Sequence, residues 1–364
     1  MSTNPFAPST SKPGHGTILL ALLPPNTPVL QTLSYQYPLK LIAPAAIPLP
    51  GSSYTSMSPP LTATIPPPLI YTIFLLTYGG GLVAGDSINL TGHLAASTRL
   101  ILLTQGSTKI FKSPPPPTPS AHLTLSQPPG LITSQHLHLT ISDNAALCYL
   151  PDPVQPFAAS RFTQTQIFTL SGSGNGNLCV LDWVCEGRSA RGERWAMEQY
   201  VSRNEVWLSS PEADNGRKKG RLLLRDSIIL DSEDGQGDVG RMGIRDHMDG
   251  LGVFGTLILR GTLFDALGQY FIDEFRLLPR IGGAKWDAST EGPKVDDVKK
   301  KRRRRQKQEA EDGLVWTAAA VRGCVVVKFG AGEVEGARRW IGAMLRSEGS
   351  VERLFGERAL LCLR

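Results

Sequence analysis

Apolar and polar residues alternate with period two along much of the chain. The pattern runs through Ile88 and Leu90, Leu123 and Leu125, Leu137 to Ile141, Ile167 to Leu170, Leu178 to Val184, Leu222 to Leu230, Leu257 and Leu259, and Cys324 to Phe329. Alternation sends successive side chains to opposite faces, as in a half-buried strand. Between these segments stand turn-forming clusters such as SPPPPTPS (113–120), QPPG (127–130) and SGSGNGN (171–177). Many short strands without regular intervening helices predict a mainly β fold of stacked antiparallel or mixed sheets. Parallel neighbours need crossover segments of a dozen residues or more, which favours the antiparallel form. Helical spacing is confined to the C-terminal end, where Val334, Ala337, Ile341, Met344 and Leu345 share one face. Residues 351–361 predict a second short helix, and both would cover the sheets.

The first residues are Ser, Thr, Pro and Asn, with little to bury, so 1–14 read as a disordered tail. Residues 15–364 read as a single domain, interrupted at about 286–313 by DASTEGPKVDDVKKKRRRRQKQEAEDG. That stretch lacks apolar periodicity, and its block of like charge repels itself, which predicts a solvated loop. The chain has 364 residues and 41% hydrophobic content, enough for a large core.

The formal charge of +6 would suggest an anionic partner, but it is local. Removing Lys299, Lys300, Lys301, Arg302, Arg303, Arg304, Arg305 and Lys307 leaves the rest of the chain at −2. The block has three readings: a solvated insertion, a nuclear-localisation-like patch, or a contact to RNA or an acidic protein. No aromatic residue interleaves it, which weakens the case for a nucleic-acid-binding module of the single-strand type. Five cysteines without a C-x-x-C pair fit reduced, buried thiols in a cytoplasmic protein. The apolar run from Thr17 lacks a charged flank and a cleavage-like site, so no leader is expected. The longest apolar stretch, Leu69 to Leu76, is far below the ~20 residues of a membrane helix.

The segment YGGGLVAGDS (78–87) nearly matches the phosphate-loop pattern G-x-x-x-x-G-K-[ST], with Asp86 in place of the lysine. A carboxylate there turns attraction into repulsion of about 1–4 kcal/mol. The residues that follow, SINLTGHL, have strand and not helix periodicity, so the helix N-terminus that such loops use is absent. The glycines therefore read as a tight connection between strands, with Asp86 capping its own turn.

His136 and His138 lie two apart in HLHLTI and face one way on a strand. An H-x-H pair can hold nickel, and the same pattern describes an ordinary solvent face. Cys179 and Cys185 share a strand face at a separation of about 20 Å and cannot share an ion. No G-x-S-x-G elbow or H-E-x-x-H helix is present, so the usual hydrolase signatures are missing.

Read onward to Phe111, the glycine segment resembles the UreD (UreH) family of urease accessory proteins, in its eukaryotic form. The family's G-G-L-V-x-G-D stretch corresponds to Gly80–Asp86, preceded by Gly79, and its later Thr- and Thr-Lys-bearing stretch to Thr104, Thr108 and Lys109, which here read T-x-x-x-T-K. PLKL (38–41) is similar to its early strand, LPDPVQPF (150–157) to the form of its eukaryotic members, and EGRSARGERW (186–195) to G-R-x-x-x-G-E, carrying Arg188, Gly192 and Glu193. The resemblance implies a non-enzymatic maturation scaffold that binds apo-urease and acts with UreF and the GTPase UreG, in a complex able to dimerise. It also implies no tightly bound cofactor, transient Ni²⁺ passage through an internal tunnel, and no membrane partner. Carried over with it are Asp86, Glu193 and Asp152 as acids along that path, since isolated carboxylates bind a moving cation weakly enough to release it. Gly79, Gly80, Gly81, Gly85, Thr104, Thr108, Lys109, Arg188 and Gly192 are carried over as structural.

Overall fold

The computed structural model describes residues 12–50, 68–113, 131–210, 220–232, 243–278 and 293–364, with backbone only for 293–298. The expected tail up to residue 11, the strand at Leu123 and Leu125, and the start of the insertion lie outside the described residues.

The strands, in chain order, begin with β1 (His15–Leu23), β2 (Thr27–Tyr35), β3 (Leu39–Ile42), β4 (Ile47–Pro48), β5 (Leu69–Thr77), β6 (Gly81–Leu82) and β7 (Ser87–Leu94). They continue with β8 (Arg99–Leu103), β9 (Thr108–Ile110), β10 (Thr133–Ile141), β11 (Ala146–Tyr149), β12 (Val154–Pro156), β13 (Arg161–Leu170) and β14 (Asn177–Cys185). The series ends with β15 (Gln199–Leu208), β16 (Arg221–Asp231), β17 (Val253–Arg260), β18 (Val315–Val321) and β19 (Cys324–Ala331). Among the described residues the α-helices are α1 (Ile244–His247), α2 (Asp265–Arg276), α3 (Pro293–Glu311), α4 (Val334–Glu348) and α5 (Ser350–Phe355).

The fold is mainly β with mixed sheets. One sheet has the order β16-β15-β13-β10-β7-β1-β2; the other runs β18-β19-β17-β14-β11-β8-β5-β3, with β4, β6, β9 and β12 attached. Pairing is antiparallel at the flanks, as in β1–β2, β15–β16 and β17–β19. It is parallel through the centre of both sheets, as in β1–β7, β7–β10, β10–β13, β13–β15, β5–β8, β8–β11 and β11–β14. The preference for antiparallel neighbours is therefore corrected for the centre. Crossover segments are present, but they are strands: from β7 to β15 the long strands fall alternately in the two sheets, so each returns beside its predecessor in the same direction.

Side chains such as Leu90, Leu102, Leu139, Leu147, Phe168 and Val180 fill the space between the sheets. The outer face of the second sheet packs Leu103, Cys148, Leu181, Trp183 and Leu257 against α2, α4 and α5 through Phe271, Trp340, Ile341 and Phe355. Strand β14 is buried along its whole length, covered on one face by the other sheet and on the opposite face by helices. The C-terminal helix forms as its periodicity predicts, and it ends at Gly349, whose φ of +83° suits the left-handed cap. All five cysteines are free and buried.

The segment expected as a solvated loop is instead helical from Pro293 to Glu311. Lys, Arg, Gln, Glu and Ala favour helix once an anchor offsets the charge repulsion. That anchor is Glu274 of α2. Arg302 Nη2 lies 2.7 Å from Glu274 Oε1, and Arg305 Nη2 lies 2.7 Å from Glu274 Oε2. Arg305 Nε also donates to Glu309 Oε1 at 2.8 Å, which accepts a second bond from Trp340 Nε1 at 3.0 Å. Burial pushes the Glu274 carboxyl up, but hydrogen bonds and charge from the two guanidiniums outweigh it and hold the carboxyl below its ordinary value.

Leu102, fully buried between the sheets, and Ile229, 63% exposed on β16, provide a test of this layering. Leu102→Ala should cost about 2–5 kcal/mol in urea denaturation. Ile229→Ala should stay within about 0.5 kcal/mol of the parent.

Candidate functional site

The sequence segments that stood out are separated by up to a hundred residues, yet the fold lays them side by side. β6, from the glycine run, pairs in parallel with β9, from the Thr104–Phe111 stretch. β9 pairs with β12, from the Leu150–Phe157 stretch, and β12 pairs with β14. The 186–195 segment joins this ladder through Gln155 Nε2, which donates to the Gly187 carbonyl at 3.0 Å. A Cβ at Gly81 would fall 2.6 Å from the Lys109 carbonyl oxygen, so only glycine lets β6 approach β9. Gly187 combines a φ of +101° with an approach of 2.7 Å to the Pro156 carbonyl oxygen.

A surface cavity of about 290 Å³ opens beside this ladder, lined by Lys40, Leu75–Gly80 and Thr104–Thr108. Gly79 and Gly80 both have φ of +74° and border it with open space around them. Tyr78 closes one side, packed 5.7 Å from Tyr37 with Lys40 over its ring. Leu75, Thr104 and Thr108 also line a smaller inner cavity of about 10 Å³, reaching Gln135, Asp152, Gln164, Gln166 and Asp182.

Asp152 sits between the two cavities, 8% exposed. Its Oδ2 accepts from Thr104 Oγ1 at 3.2 Å and Gly106 N at 2.9 Å, and its Oδ1 accepts from Arg338 Nη1 at 2.8 Å. Arg338 also donates to the Cys362 carbonyl and lies over the Trp183 ring. The Cys362 thiol donates to the Thr104 carbonyl at 3.3 Å; burial, with Asp152 adding to it, pushes this thiol up to about 12. The C-terminal tail is thus bound against the site.

Beyond Asp152, polar side chains replace apolar ones on the inner face of one level of the sandwich. Gln135 Nε2 donates to Gln164 Oε1 at 3.3 Å, and Gln164 Nε2 donates to Asp182 Oδ1 at 3.0 Å. Asp182 Oδ2 accepts from Ser202 Oγ and Asn204 Nδ2, each at 2.6 Å. Strand register places Thr256 opposite Asp182 and Asp226 opposite Asn204. Thr256 Oγ1 donates to Asp226 Oδ2 at 3.0 Å, and Lys328 Nζ pairs with Asp226 Oδ1 at 2.6 Å. The belt so formed ends at Lys328, whose side chain is 35% exposed. Within it Gln166 Oε1 and Asn204 Oδ1 are buried without a hydrogen-bond partner among the described residues, which leaves lone pairs available to a guest. Burial pushes the Asp182 carboxyl above its ordinary value, against the lowering effect of its three donors.

The candidate residues fall into three groups. Thr104, Thr108, Gly79, Gly80 and Asp152 line the cavities. Asp86 closes its own turn: its Oδ2 accepts from Val83 N at 2.9 Å, its amide donates to Val83 O, and Gly85 before it has a φ of +86°. Glu193 takes a two-pronged contact from Arg188, accepts from Ala158 N, and is held below its ordinary value by that guanidinium. Arg188 lies 4.1 Å over the Phe157 ring, and Gly192 closes the turn between the pair with a φ of +75°. Neither Asp86 nor Glu193 lines the cavities, and Lys109 points to solvent. His136 and His138 are both exposed, with His138 Nε2 bonded to Thr169 Oγ1. Among the described residues no group of three metal-ligating side chains includes them. Asp182 escaped sequence reasoning, although a lone carboxylate inside the apolar run LCVLDWVC was its signal.

Comparison with known proteins bears on this arrangement. The family model described as UreD urease accessory protein matches residues 16–360. Urease accessory protein 4 of Cryptococcus neoformans var. grubii is 31% identical over 98% of both chains. A ureD-like protein of Schizosaccharomyces pombe is 30% identical over 74% of this chain and 79% of its own. Urease accessory protein D of Arabidopsis thaliana is 32% identical over 47% of this chain and 49% of its own. No helix among the described residues is long and apolar enough to cross a membrane.

Asp182 supplies a pH test. Its native carboxyl holds the proton more tightly than the unfolded one, so stability falls as pH rises from the ordinary Asp range towards the raised native value. Asp182→Asn, which imitates the protonated form, should flatten that part of the stability profile relative to the parent, as read by thermal melts from pH 4 to 8.

Proposed function

We propose, because this chain belongs to the UreD family of urease accessory proteins, that it is a scaffold of urease maturation through which Ni²⁺ moves towards the apoenzyme. It is an accessory protein, and no reaction is assigned to it. In this reading it binds apo-urease and works with UreF and the GTPase UreG, which supply the ion and the timing.

One observation supports the path: polar side chains at Asp152, Gln135, Gln164, Asp182, Thr256 and Asp226 interrupt a core that is largely apolar, next to a mouth built from the family's own motifs. Carboxylate, amide and hydroxyl oxygens suit a hard-to-borderline divalent cation, and their spacing along the belt offers successive weak sites instead of one closed cage. Asp152 and Asp182 are the interior acids. A cation reaching Asp182 would favour the ionised carboxylate over the protonated one, and that carboxylate would offset one of the ion's two positive charges as it passes. Arg338 holds the Asp152 carboxylate while no cation competes for it. Asp86 and Glu193 support this route by fixing the turn after β6 and the corner beside β12.

Co-expression of the urease components with and without this chain tests the role, with activity and bound nickel as readouts. Omission should leave urease largely nickel-free, whereas full loading without the chain would end the proposal. Asp182→Asn should remain folded by circular dichroism and keep the pull-down of apo-urease but lower nickel loading at least several-fold.

A further inference from the structure

The basic run does something the maturation reading does not require. Helix α3 is fixed to the body by one face, formed by Arg302, Arg305 and Glu309 against Glu274 and Trp340. At 100° per residue Arg303, Arg304 and Lys307 lie on the opposite face, with Lys301 at its flank. These four side chains are exposed, and Lys307 is 80% accessible. Glu311 offers only a long 3.7 Å pairing to Lys307 and is itself 55% exposed. Two buried carboxylates are therefore committed to presenting a stripe of positive charge about 9 Å long on a rigid helix.

We infer that the outward face of α3 is a docking surface for a carboxylate-rich protein segment. A basic run that only kept the chain soluble would need no anchor through Glu274 and Glu309. Arginine forks match carboxylates in pairs, and a rigid stripe of four cations is short enough for one or two turns of an acidic helix. Nucleic acid fits less well. A recognition helix must enter a major groove about 8.5 Å deep, and α3 is tied along one side to α2 and α4 through Arg302, Arg305 and Glu309. The exposed stripe also lacks the aromatic side chains that stack unpaired bases.

The test uses the full chain and a fluorescein-labelled deca-glutamate peptide, followed by anisotropy at 50 and 200 mM NaCl. A 20-base-pair DNA duplex serves as the parallel probe. Arg303→Gln/Arg304→Gln/Lys307→Gln removes the stripe without touching the anchor, and Arg276→Gln/Arg353→Gln/Arg364→Gln makes the same net change elsewhere. The expected result is peptide binding that weakens at least tenfold in the first variant and with added salt, while the second variant binds within twofold of the parent. No peptide binding at 50 mM NaCl, or equal loss in the two variants, overturns the inference. Duplex bound more tightly than peptide, with that binding lost in the first variant, overturns it in favour of nucleic acid.

Discussion

A carboxylate can lie between two sheets only where donors replace the water it gives up, and Asp182 sets that requirement for the strands around it. Gln164, Ser202 and Asn204 satisfy it from β13 and β15, whose inward residues on either side of this polar level, which also includes Gln166, are Phe162, Phe168, Tyr200 and Val206. The exchange of hydrocarbon for amide and hydroxyl at one level lowers the apolar area that joins the sheets. It is affordable because the levels on either side are filled by aromatic and aliphatic side chains. The same exchange turns a packing layer into a polar route, so the belt is both a structural weakness and the feature on which the functional reading rests.

The motif segments follow from the winding of the chain. Because long strands fall alternately in the two sheets, elements distant in sequence become neighbours in a parallel ladder. The glycine run that looks like a phosphate loop is thus a close-packing device: Gly81 admits β9, and Gly79 and Gly80 leave the mouth unobstructed. Asp86, where a nucleotide site would want a cation, closes the turn that starts β7.

The mainly β class, the C-terminal helix and the family membership were legible in the chain, because alternation, helical spacing and ordered motifs are local properties. Strand direction was not legible. It depends on which sheet each segment joins, and a strand serving as a crossover looks the same in sequence as one serving as a hairpin arm. Nor was the state of the basic run legible. The repulsion within KKKRRRR is visible in sequence, but Glu274, which neutralises it, lies on another element. Of the site, Asp152 was read from its motif, whereas Asp182 was hidden by its apolar neighbours and emerges only when the donors of β13 and β15 are brought opposite it.

The alternation between sheets also governs how the protein reaches this state. β1 must wait for β7, so that His15 pairs with Asn89, and few central pairs can close through a short hairpin. Folding is therefore dominated by contacts between residues far apart in the chain, which is slow and leaves strand edges open in the meantime. While those edges stand open, β14, which must be covered on both faces, offers an apolar ribbon to any neighbouring chain. The winding that brings the motif segments together is thus also what makes the route to the folded state long.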